Sequence, residues 1–124
     1  MSDNVDIEGL TAVLMQKYSE YTGEICEQAS EITKQTGKEM VNAIKEDSPK
    51  KTGKYRDGWV AEVQRGKDYT KIVGKNKKKP KLTHLLQNGH AKVNGGRVPG
   101  VDHISKNEKK YNELLLERVG DILK

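Results

Sequence analysis

Apolar and small side chains recur at helical spacing along the first third of the chain: Ile7, Leu10 and Leu14, then Tyr18, Tyr21 and Ile25, then Ala29, Ile32 and Thr36, then Met40 and Ala43. Each group repeats after 11 residues. That period, about 3.67 per turn, belongs to a nearly straight helix with a slight right-handed drift. No proline falls between Asp6 and Asp47, so one long helix is expected within residues 1–47. Forty residues of helix reach roughly 60 Å, longer than a domain of this size is wide. Such a stripe packs on its own domain and can also carry a subunit interface. Gly9, Gly23 and Gly37 each cost up to about 1 kcal/mol against alanine, which makes Gly23 and Gly37 candidate bends. The helix must stop near Asp47, because Ser48 precedes Pro49 and is biased out of the α region.

The period then shortens to two. Ser48 to Gly53 (SPKKTG) has the composition of a turn. In residues 59–65, Trp59, Ala61 and Val63 alternate against Val60, Glu62 and Gln64. Gly66-Lys67-Asp68 is a short loop, and residues 69–74 (YTKIVG) read as a second strand, completing a hairpin. Residues 82–88 (LTHLLQN) predict a short helix closed by Gly89, and Asn94-Gly95-Gly96 signals a tight hairpin turn. Ser105 and Glu108 are spaced as a capping box for a last helix with Tyr111, Leu114, Leu115, Val119 and Ile122 on one face. The fold class expected is α+β in a single domain over 1–124. Its parts are a long N-terminal helix (1–47), a small antiparallel sheet of three or four strands with loops (48–104), which also holds the short helix, and a C-terminal helix (105–124). The expected core is Ile7, Leu10, Leu14, Ile25, Ile32, Trp59, Val63, Ile72, Leu85, Leu115 and Ile122.

Composition makes that core thin. The chain of 124 residues is 33% hydrophobic, with no Phe and one Trp, below the roughly 45–50% apolar share of ordinary domains. A neighbouring subunit is therefore expected to complete part of the apolar surface. No apolar run approaches the 18 residues of a membrane span. The N-terminus lacks the basic and apolar regions of a signal peptide, and the lone Cys26 suits a reducing compartment, so a soluble intracellular product is expected.

Charge is polarised. Residues 1–47 carry 4 basic and 10 acidic side chains, whereas residues 48–110 carry 17 basic and 5 acidic. Lys75, Lys77, Lys78, Lys79 and Lys81 crowd into seven positions. This basic middle suits nucleic-acid phosphates, or the acidic helix of another copy. No aromatic residue is interleaved in the run, which disfavours base stacking. Candidate chemistry is sparse. His84, His90 and His103 match no compact metal-ligand spacing, and Cys26 has no nearby histidine to activate it. Asp102-His103 resembles a base with its orienter, yet no nucleophile sits on a recognised elbow. No catalytic residue, cofactor or metal is expected.

Two segments together resemble a known family. Residues 48–59 (SPKKTGKYRDGW) are similar to its signature SP..TG.LR.SW, and residues 82–103 (LTHLLQNGHAKVNGGRVPGVDH) to its signature HLLE.GH....GG.V....H. The family is that of small tail components of tailed phages and prophages, variously called neck, head–tail joining or tail completion proteins. The two segments cover 34 of 124 residues, and Gln87 stands where the family usually has an acidic residue. The resemblance implies a non-enzymatic virion part at the head–tail junction, assembled in the host bacterial cytoplasm. Such proteins form rings, commonly of six copies, around an axial DNA channel, and their partners are head-connector and tail proteins. Lysines 75, 77, 78, 79 and 81 would then face DNA phosphates or an acidic surface on the next ring. The alternative from charge alone is a small basic nucleic-acid-binding protein.

Overall fold

The computed structural model describes residues 12–18, 21–49, 53–79, 82–91, 95–98 and 100–123. Its elements in chain order are β1 (Ala12–Lys17), α1 (Gly23–Asp47), α2 (Lys54–Asp57), β2 (Trp59–Arg65), β3 (Tyr69–Asn76), α3 (Leu82–Asn88), β4 (His90–Ala91), β5 (Arg97–Val98) and α4 (Ser105–Ile122). The class is α+β, with a long helix, an antiparallel sheet of order β1-β3-β2, a short helix and a C-terminal helix.

The long helix is shorter than its periodicity suggests. It begins at Gly23, and residues 12–17 form a strand outside the 48–104 span that sequence assigned to the sheet. Ile7 and Leu10 lie outside the described residues. Ala12 and Leu14 are fully buried while Met15 is 42% exposed, an alternation of period two. The deciding force is not local. β3 has an open side, and β1 fills it antiparallel over six pairs, from Ala12 opposite Gly74 to Lys17 opposite Tyr69. Tyr18 fastens the strand end: its amide donates to Asp68 O at 2.9 Å, and its hydroxyl lies 3.0 Å from Tyr69 O and 3.1 Å from Thr70 Oγ1. Thr22 then caps α1, its Oγ1 accepting from the Ile25 amide.

The expected hairpin is present with its three-residue loop, but β3 runs on to Asn76 and takes Lys75 into the ladder opposite Val60. α1 crosses the sheet face that carries Leu14 and Ile72. It runs uninterrupted through Gly37, and that glycine is where Ile72 meets the helix backbone. α4 lies antiparallel to α1, since Asn107 bonds Asp47 at 2.9 Å and Arg118 bonds Thr36 and Glu39. It also closes the outer edge of β1, where Glu108 Oε2 accepts from the Val13 amide at 3.3 Å. This edge contact replaces the capping box: the residue before the helix is Ile104, and no side chain caps it in the expected way. Asp102 Oδ1 instead accepts from the Lys106 amide.

Of the expected core, Leu14, Trp59, Ile72 and Leu115 are buried. Ile25, Ile32 and Ile122 are half-buried, and the Leu85 side chain lies outside the described set. Val63 is a miss at 43% exposed. It shares a face with Ile72, but β2 is the edge strand and only its first residue, Trp59, is buried.

Candidate functional site

The two signature segments meet in one buried cluster. Tyr55 follows the left-handed Gly53 and His103 precedes α4, and the Tyr55 hydroxyl stands 2.7 Å from His103 Nε2. His103 Nδ1 lies 2.7 Å from the Val101 carbonyl. A carbonyl only accepts, so Nδ1 carries the proton of the neutral ring and the Tyr55 hydroxyl donates to Nε2. Trp59 packs edge-on against both rings, at centroid distances of 6.0 and 6.1 Å. Its own indole N–H is buried and meets no acceptor in hydrogen-bonding geometry.

Gln87 ties α3 into the same cluster. Its Oε1 accepts from the amides of His103 and Ile104, at 3.2 and 2.8 Å, while its Nε2 donates to Asp102 Oδ1 at 3.0 Å. The departure from the family pattern thus has a physical reason in this chain: a carboxylate at 87 would accept the same two amides but would confront Asp102. The contact also separates Asp102 from His103. The suspected base and orienter do not face each other, because Asp102 turns to Gln87 and α4 while His103 turns inward. Gly100 closes the turn against the backbone of Gln87 to Gly89, where any Cβ would collide.

Burial holds His103 below the ordinary histidine range, outweighing the Val101 carbonyl and the nearby Asp102 and Asp47 charges, which act the other way. Burial also pushes the Tyr55 hydroxyl up to about 12. The unfolded chain therefore binds a proton at His103 more readily than the folded one, and stability falls as pH drops below about 6.5. Thermal melts between about pH 7.5 and pH 5 are expected to show this loss, and His103→Gln is expected to flatten it. Subtraction against that variant is needed because Glu108, raised by burial, titrates in the opposite sense. An equal pH slope in both proteins would place the titration elsewhere.

The lysine run is a shaped loop. Asn76 is 4% exposed; its Nδ2 donates to the Tyr55 carbonyl, and its Oδ1 accepts from the amides of Lys78 and Lys79 at 3.2 and 2.8 Å. The Lys77 amide donates to Gly58 O at 2.9 Å, and a Cβ at Gly58 would collide with Asn76 Oδ1. Lys77, Lys78 and Lys79 are exposed. Lys75 lies in β3 with its ammonium 3.0 Å from Glu62 Oε2, and Lys81 lies outside the described residues.

The other end of the molecule carries a surface that sequence reasoning missed. Ile32 of α1 and Ile122 of α4 line an open trough of about 440 Å³, with Glu27, Gln28 and Glu31 completing its lining. Its only sequence signal was the excess of acidic residues before Asp47. Cys26 is half-buried, its thiol directed at the carbonyls of Tyr18 and Tyr21 at 3.4 and 3.6 Å. The side chains of His84 and His90 lie outside the described set. Among the described residues, no cluster of three or more His, Cys, Asp or Glu could hold a metal ion, and no helix is long and apolar enough to cross a membrane.

No curated protein and no solved structure matches the chain. A family model does, over residues 12–92, described as that of the bacteriophage HK97-gp10 tail component. The match spans the strand β1, the helix α1, the hairpin, the lysine loop and α3, and takes in the first signature segment whole. With well over half of its length inside the match, this chain belongs to the HK97-gp10-like family of bacteriophage tail components.

Proposed function

We propose that the chain is a structural virion protein of a phage or prophage head–tail junction, where a ring of its copies completes or joins the tail to the DNA-filled head. The observation that carries this reading is the family match across residues 12–92. The thin core, the uneven charge and the partly open surface support it, since each is what a subunit built to be completed by neighbours would have. Neighbouring head-connector and tail proteins are the further partners, and the virion, assembled in the bacterial cytoplasm, is the location. Lys75, Lys77, Lys78, Lys79 and Lys81 form the basic contact surface, towards DNA phosphates or towards protein.

Light scattering on the purified full chain over a wide concentration range tests the ring. A discrete multimer, six copies in the simplest case, is the expected result. The exposed lysine loop favours one competing reading, a small basic nucleic-acid-binding protein. That reading predicts a DNA affinity that falls steeply with salt, whereas the ring predicts a discrete multimer and contacts with partner proteins.

A further inference from the structure

The trough and the lysine loop are chemically complementary, and they stand at opposite ends of the molecule. The trough lies where the hairpin turn meets the first turns of α1: Arg65 reaches Glu27 at 2.7 Å, and Thr70 bonds Ser30 at 2.8 Å. The loop begins where β3 ends, at Asn76 under Tyr55. Asn76 is six residue steps along β3 from Thr70, about 20 Å at 3.3 Å per step. A lysine of the loop therefore cannot reach the trough of its own chain.

The trough has an apolar floor and an acidic rim. Ile32 and Ile122 are half-buried, and Leu123, next to Ile122, is 50% exposed. Glu24, Glu27 and Glu31 are exposed at spacings that place them along one side of α1. Glu27 and Glu31 already hold Arg65 and Lys34, each through one oxygen, with the glutamates 65% and 70% exposed. Ion pairs so open to water contribute little and exchange partners readily, and a carboxylate accepts several donors. A lysine is the matching ligand: its stem is apolar and its head is a cation.

We propose that the lysine loop of one copy, Lys77 to Lys79, docks in the α1–α4 trough of the next, with lysine stems over Ile32 and Ile122 and ammonium groups at the Glu27 and Glu31 rim. Each copy then uses its loop on one neighbour and its trough on the other. Such a contact is heterologous, and closing it produces a ring. The inference rests on the ring reading above and commits the loop to protein rather than to DNA.

Charge reversal tests it. One variant carries Glu27→Lys with Glu31→Lys, the other Lys77→Glu, Lys78→Glu and Lys79→Glu, and circular dichroism checks that both remain folded. At a concentration where the wild-type chain is assembled, each variant alone is expected to scatter as a monomer. An equimolar mixture is expected to regain the multimer, because each reversed surface then meets its complement. A trough variant that assembles like wild type overturns the seat and leaves the ring standing. Retention on a short DNA duplex, lost in a loop variant that still assembles, overturns it in favour of phosphate contact. A wild-type chain that stays monomeric at every concentration overturns both the ring of this chain alone and the seat.

Discussion

Replacing Trp59 with alanine is expected to cost about 3–5 kcal/mol, seen as a fall of roughly 10–20 °C in melting temperature. The indole is 4% exposed and stands between Tyr55 and His103. Its removal empties the cluster that joins the two signature segments and deletes two edge-on ring contacts, each worth about 0.5–1.5 kcal/mol beyond area burial. One effect runs the other way. The buried indole N–H makes no well-formed hydrogen bond, its approach to the Tyr55 hydroxyl falling outside hydrogen-bonding geometry, and leaving such a donor unmade costs about 1–3 kcal/mol, so its removal recovers part of the loss. Trp59→Phe separates the two effects, because it keeps an aromatic ring and removes the orphan donor. It is expected to melt much closer to wild type than the alanine variant does. An alanine variant that melts with the wild type would mean that the Tyr55–His103 cluster holds without its central ring.

Gly37→Ala is expected to destabilise by about 1–3 kcal/mol, although helix propensity alone favours alanine by about 1 kcal/mol. An added Cβ would stand within 2.6 Å of three Ile72 carbons, including Ile72 Cβ. Ile72 is fully buried on the central strand, and its β-branched side chain is stiff at χ1. Relief therefore requires helix and strand to move apart, not a rotamer change. Gly23→Ala is the matched control, since an added Cβ there meets open space at the first turn of the same helix. Denaturant titration should show a lower midpoint at unchanged slope for Gly37→Ala, and no loss for Gly23→Ala. A Gly37→Ala protein more stable than wild type would show that helix and sheet stand farther apart than this packing requires.

What could be read from sequence was what local pattern decides. Alternation from Trp59 to Val63, with Gly66 in the loop, is enough for a hairpin, because neighbouring strands joined by three residues have few other ways to pair. β1 was hidden because Leu14 and Tyr18 fit a helical period as well as a strand. Only the open side of β3, more than fifty residues later, decides between them. The start of α4 misled for a related reason. Glu108 has the spacing of a capping residue, but the Val13 amide at the sheet edge takes its carboxylate. For the candidate site, the lysine run was plain in the sequence and its shape was not, since Asn76 looks like one more polar residue among lysines. The trough was beyond reach, because Ile32 and Ile122 become neighbours only through the antiparallel packing of α1 and α4.

The Asn76 amide also bears on the timing of association. The loop's three lysines from Lys77 to Lys79 have their backbone N–H groups held, two by Asn76 and one by Gly58. Fixing a residue's backbone costs about 1–2 kcal/mol of conformational entropy, and here that cost falls on folding and not on encounter. In the proposed seat a partner would meet a loop whose backbone is already held, so charge steering would set the rate of capture and salt would slow it. A ring assembled from such subunits would grow quickly at low ionic strength, with its pace governed by collisions between copies.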